Sequence, residues 1–173
     1  MTNDAKQILR EGIVSAVFAE RHTARVTFGD KDDLVSDELP VLTLCSSGNK
    51  FYSLPDVGTS VVCLFAPNAE GTGTGFIIGS RFHDKSKPNA DSVDKTRMDF
   101  SDNTFVEYDR SSHKLKIKCS GDVEIEADGK ITFTADDEIE FAGSKNLTFN
   151  ATENVNITAT KQAVVRGEQI LLN

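Results

Sequence analysis

The stretch that decides the fold runs from Leu115 to Ile170 and falls into seven rows of eight: LKIKCSGD (115–122), VEIEADGK (123–130), ITFTADDE (131–138), IEFAGSKN (139–146), LTFNATEN (147–154), VNITATKQ (155–162) and AVVRGEQI (163–170). The first position reads Leu115, Val123, Ile131, Ile139, Leu147, Val155 and Ala163, with Leu171 opening one more row. The third reads Ile117, Ile125, Phe133, Phe141, Phe149, Ile157 and Val165, and the fifth Cys119, Ala127, Ala135, Gly143, Ala151, Ala159 and Gly167. Side chains alternate between the two faces of a strand, so these three positions share one face of a five-residue strand as large, large, small. The last three positions are turn formers such as Ser120-Gly121-Asp122, Asp128-Gly129-Lys130 and Ser144-Lys145-Asn146. Self-similarity at a fixed period marks a repeat architecture, here one short strand and one corner per row. The small residue before each corner lets the backbone turn close to its neighbours.

A five-residue strand spans roughly 17 Å and has an apolar face that nothing within its own row covers. A single-chain left-handed β-helix would require six-residue rungs and a calcium-binding roll nine, and neither period fits. Three chains wound about one axis satisfy the pattern: each gives one side of a triangular prism per row, and the large residues meet at the centre. Stacking at about 4.8 Å gives a shaft on the order of 35 Å long. Outward positions run from Lys116 and Lys118 to Glu124 and Glu126, then through Thr132, Thr134, Glu140, Thr148, Asn150, Asn156 and Thr158. Opposite charges facing across stacked strands contribute roughly 0.2–1 kcal/mol per pair and help to fix register.

Upstream of the repeat, strand signals are expected around Met98–Phe100 and Asn103–Tyr108, and residues 83–97 read as a polar linker. Before the linker, period-two runs occur at Ile13–Phe18, Ala24–Phe28, Leu39–Cys45, Ser60–Phe65 and Gly75–Gly79, separated by Gly, Pro, Asn and Asp clusters. Five strands in about 70 residues suit a small closed or partly closed barrel. Residues 1–10 form a lead-in, with one or two helical turns over 3–10 and Asn3 or Asp4 as the cap.

The 173 residues carry 27 Asp and Glu against 19 Lys and Arg, a formal charge of -8 that argues against an unassisted hold on nucleic acid. Cys45, Cys63 and Cys119 are odd in number and widely spaced, and they read as buried free thiols of a reducing compartment. Nothing in the sequence has the length of a membrane span or the apolar core of a secretory signal, so synthesis in the cytoplasm is the expectation.

Isolated motifs yield little chemistry. Asp136-Asp137-Glu138 with Glu140 resembles a hard-cation cluster but reads as a solvated corner, and Asp30, Asp32 and Asp33 read as an acidic loop. The glycosylation triplets at Asn146, Asn150 and Asn156 are by-products of an Asn- and Thr-rich repeat. Gly71-Thr72-Gly73-Thr74-Gly75 lacks the Lys-Ser/Thr of a phosphate loop and opens a strand instead of a helix. With no supported nucleophile, acid–base pair, cofactor motif or metal-ligand spacing, the expectation is a protein that is not an enzyme and holds no cofactor.

The residues then match a family. Gly12–Val17, Arg25–Phe28, Glu38–Val41, Leu54–Gly58, Val61–Phe65 and Gly75–Ser80 resemble the oligonucleotide/oligosaccharide-binding (OB) barrel of baseplate assembly protein V. That family forms the central spike of contractile phage tails and phage-tail-like bacteriocins. Residues 98–173 resemble its intertwined triple-stranded β-helix. The resemblance implies an all-β chain divided as 1–10 lead-in, 11–82 OB-fold barrel, 83–97 linker and 98–173 spike, assembled as a homotrimer. Its partners would be tail-tube hub and baseplate proteins and, transiently, the target cell envelope, which is pierced on sheath contraction; no nucleic acid is expected. The chain would be made in the host bacterial cytoplasm and built into the baseplate of a virion or phage-tail-like particle.

One feature of the family is missing. Many members end in a His-x-His tip that binds iron, whereas His22, His83 and His113 all precede the repeat. The expectation is a blunt shaft ending near Ile170, Leu171 and Leu172, capped by a separate tip protein of the PAAR type. The competing function is a trimeric OB-fold module binding single-stranded nucleic acid or carbohydrate. That would require a platform of exposed aromatic rings, and Phe18, Phe28, Phe65 and Phe76 read instead as core.

Overall fold

A computed structural model describes residues 8–66 and 75–170 of the chain. Residues 3–7 of the expected lead-in helix, the glycine-rich stretch up to Thr74, and Leu171 and Leu172 lie outside the described residues. The protein is all-β and divides into two compact units, Met1–Asp122 and Val123–Asn173.

In the first unit, β1 (Leu9–Phe18), β2 (Thr23–Phe28), β3 (Leu34–Val35), β4 (Leu39–Pro40), β7 (Ser60–Phe65) and β8 (Gly75–Ser80) form an antiparallel sheet. The short strands β5 (Ser46–Ser47) and β6 (Asn49–Lys50) pair separately as a hairpin around Gly48, whose φ of 67° suits glycine. Strand order is β3-β2-β1-β7-β8, with β4 also on β2. Ten-residue β1 serves two neighbours: Leu9–Ile13 pairs with β7, and Ile13–Phe18 pairs with β2. A register shift between Val14 and Ala16 bends it between the two roles. The chain after β4 reaches the far edge through a single bridge, Val41 to Ile77, where the Leu42 N–H donates to the Ile77 carbonyl at 2.9 Å. The sheet therefore curls towards itself without a continuous closing ladder.

Alternation along β1, β2, β7 and β8 produces the core. Val14, Ala24, Val26, Phe28, Leu39, Val61, Cys63, Phe65 and Ile77 are buried together, and the Phe28 and Phe65 rings meet edge to face at 5.8 Å. Arg10 lies over both rings, 5.8 Å from Phe28 and 5.1 Å from Phe65. Gly12 sits where β1 crosses β2: a Cβ there would strike Val26 and lie 2.7 Å from the Thr27 carbonyl oxygen.

Three assignments change. Leu9 and Arg10 belong to β1 and not to the lead-in helix. Phe76 is 46% exposed, because strand alternation turns Ile77 inward (1% exposed) and Phe76 with Ile78 outward, and Phe18 is half-buried outside the core, under Arg21 and Arg25. Only Cys63 of the three thiols is buried; Cys45 stands beside the β5–β6 hairpin and Cys119 beside the first corner, both exposed. Burial pushes the Cys63 thiol up to about 11.

A second antiparallel sheet follows in the same unit, ordered β11-β10-β9, from β9 (Lys95–Asp99), β10 (Phe105–Asp109) and β11 (Lys114–Lys118). β9 begins three residues before the strand signal at Met98. β11 covers the first row of the repeat, Leu115 to Lys118.

Among the described residues of the second unit no strand ladder forms within the single chain, and residues 123–170 are exposed throughout. The chain nonetheless bends at a fixed interval. Bends fall at 128–129, 136–137, 144–145, 152–153, 160–161 and 168, each at the corner positions of its row and eight residues from the last.

Candidate functional site

The residues singled out by the repeat are uncovered side chains in each unit and line no pocket among the described residues. Leu115, Ile117, Val123, Ile125, Ile131, Phe133, Ile139, Phe141, Leu147, Phe149, Val155, Ile157 and Val165 are all exposed, by 44 to 79%. Leu171 lies outside the described residues. Branched and aromatic side chains at this density are ordinarily core, and single-chain exposure leaves each without the roughly 1.5–3 kcal/mol its burial would supply. Scattered exposed apolar residues need no explanation, but a contiguous series marks an interaction surface.

Local geometry shows why the row takes the form large, large, small. Phe133 and Phe141, third residues of consecutive rows, meet edge to face at 6.2 Å, so equivalent positions converge although a corner separates them. At the fifth position of the fourth row the approach is tight: a Cβ on Gly143 would lie 3.2 Å from the Asn146 carbonyl oxygen, whereas one on Gly167 would make an ordinary contact with that of Gln169 at 3.4 Å.

The β9–β11 sheet has two unlike faces. Val106 lies opposite both Met98 and Ile117, and Tyr108 opposite both Thr96 and Leu115, so these residues share an apolar face. Met98, Val106, Tyr108, Leu115 and Ile117 are all exposed. The other face is a charged network. The Arg97 guanidinium donates to Asp99 at 2.7 Å and Glu107 at 2.8 Å and lies 3.7 Å from the Phe105 ring centroid. Hydrogen bonds to these two carboxylates raise the Arg97 pKa, and the Arg97 bond holds Asp99 below the usual carboxylate range. Sequence reading missed this network; its trace was the alternation of charge in Lys95-Thr96-Arg97-Met98-Asp99 and Glu107-Tyr108-Asp109.

Catalytic geometry does not emerge from the described residues. A cavity of about 330 Å³ is lined by Val41, Leu42, Thr43, Leu44, Phe51, Ser53, Pro55, Val61, Ile77, Ile78, Gly79 and Ser80, a set without a titratable side chain. Among the described residues no three His, Cys, Asp or Glu side chains gather as metal ligands. His22 packs on Tyr52 at 5.1 Å, His83 accepts from the Lys85 N–H at 3.2 Å, and His113 occupies the β10–β11 turn at φ 55°. Asp136 and Asp137 sit at an exposed bend, and no helix among the described residues is long and apolar enough to cross a membrane. Compared with known proteins, the chain matches no family model and no curated relative.

Proposed function

We propose that this chain is the central spike of a contractile tail baseplate, a homotrimer that caps the tail tube and is driven through the target envelope when the sheath contracts. In this reading residues 11–82 are an OB-fold barrel that attaches to hub and baseplate proteins, and residues 98–173 are an intertwined triple-stranded β-helix. One observation carries it: a chain that bends every eight residues while its large apolar side chains stay uncovered from Leu115 to Val165. Such a segment has no core of its own, and three copies sharing an axis supply one. Sheath contraction provides the work; the spike provides stiffness and a narrow leading end. A separate PAAR-type protein would cover the blunt apex.

The role is mechanical, and no catalytic residue is assigned. The nucleic-acid or carbohydrate module is the weaker alternative: of its four candidate rings Phe76 is exposed, but Phe28 and Phe65 are buried in the core, and Arg21 is held by Glu38 through a two-pronged ion pair at 2.8 and 2.9 Å. The test has two parts. Native mass spectrometry should give a trimer, and quantitative proteomics of sheathed particles from the encoding bacterium should find three copies of the chain per particle. A monomer, or purified intact particles lacking the chain, would overturn the proposal.

A further inference from the structure

The repeat that builds the shaft also creates a problem of register. Each row presents large, large, small, so sliding one copy by eight residues against its neighbours would still place apolar side chains at the axis. Something outside the apolar series has to select one alignment.

We infer that the outer edge of β11 is a strand-addition seam that takes the Val123–Ala127 row of a second copy, and that this seam sets the register of the whole shaft. The inference rests on the three-chain reading above. Three observations support it. β11 is the terminal strand of its sheet, so its outer edge has backbone donors and acceptors that no ladder covers within the chain. Its apolar face, Leu115 and Ile117 beside Val106, is uncovered. Its other face presents Lys116 and Lys118, and the equivalent positions one row later are Glu124 and Glu126.

Copies related by rotation about one axis run their rows in the same sense. A row from the neighbour therefore enters parallel to β11, offset by one octad, with Glu124 beside Lys116 and Glu126 beside Lys118. A slip of one further row would replace both carboxylates with Thr132 and Thr134. The outer edge of β9 is a poorer alternative partner, because it would bring Lys95 and Arg97 towards Lys114, Lys116 and Lys118, and its one carboxylate on that face, Asp99, is already held by Arg97. Later rows are nearly uncharged on this face, which concentrates the register information at the first seam.

Thiol crosslinking reads the register directly. Lys116→Cys/Glu124→Cys and Lys116→Cys/Thr132→Cys are made in the full chain carrying Cys45→Ser and Cys119→Ser, oxidised with copper phenanthroline to a direct disulfide, which spans one strand spacing but not two, and resolved under denaturing conditions. Cys63 is buried and remains inert. The first pair should give about tenfold more covalent trimer than the second, with Lys118 and Glu126 still present to hold the seam. Equal or reversed yields in a species of trimeric native mass would overturn the seam and leave the trimer standing; monomeric native mass would overturn both. As an independent arm, Lys116→Glu/Lys118→Glu should lower trimer yield, and adding Glu124→Lys/Glu126→Lys should restore it. Full assembly of the reversed variant would refute the role of the charges.

Discussion

Val26 donates its backbone N–H not to a neighbouring strand carbonyl but to the Ser36 hydroxyl, at 2.9 Å, while the Ser36 N–H returns a bond to the Val26 carbonyl at 2.8 Å. Ser36 is 3% exposed between β3 and β4, so its side chain stands in for a missing ladder rung. Ser36→Ala would leave a buried donor unpaired, costing about 1–3 kcal/mol; faster hydrogen exchange at the Val26 amide is the expected outcome. Gly12 is constrained by space. Gly12→Ala would press a methyl group against Val26 and the Thr27 carbonyl. Lowering of head stability by about 1–3 kcal/mol should follow, seen as an earlier calorimetric transition at unchanged native mass. Neither role is legible in the sequence. Ser36 lies between two strand runs and Gly12 just before one, and a hydrogen bond made across 10 residues and a close approach of β1 to β2 depend on how distant segments meet.

Elements separate into those that periodicity reveals and those it conceals. β1, β2, β7 and β8 were legible because one face of each is buried, and burial of one face imposes alternation. β9 was concealed. Its Lys95, Arg97 and Asp99 lie on a charged face and its Met98 on an uncovered one, so the segment has the composition of a linker although it pairs along its full length with β10. Turn carboxylates hold this sheet together. Asp102 accepts from the Thr104 N–H at 2.9 Å, and Asp109 accepts from the Ser111 and Ser112 N–H groups at 2.9 and 3.3 Å. These backbone bonds hold both carboxyls below the unfolded value of 3.8. A carboxylate with a depressed folded pKa binds its proton more readily in the unfolded chain, so its stabilisation is complete well above 3.8 and is lost as pH falls through the folded value. Hydrogen exchange in β9–β11 should accelerate as pH drops from about 5 to about 2.5, after correction for intrinsic rates. Asp102→Asn/Asp109→Asn should flatten that acid limb, since the amide oxygen still accepts but does not titrate; an unchanged limb would assign it to other carboxylates.

At the scale of the molecule, the decisive property is the contrast between regular bends and absent burial over residues 123–170. A disordered segment would not repeat its corners every eight residues, and a self-sufficient domain would not expose Phe133, Phe141 and Phe149 together. The positions of the corners were legible in the sequence because the period is strict. What covers the apolar side chains was not, since no described residue of the same chain covers them. Phe141→Asp tests the assignment at its most demanding point. If position 141 faces a three-chain axis, the substitution places three carboxylates together in an apolar core, at several kcal/mol each, and the chain should elute as a monomer or aggregate instead of a species of about 57 kDa, three times 18.9 kDa. Thr148→Asp, an equal change of charge at an outward position, should leave that species intact. Loss of assembly in both variants would indicate general sensitivity to charge, and assembly of both would place Phe141 outside the core. Failure of Phe141→Asp alone is the outcome that ties the eight-residue period to an axis shared by three chains.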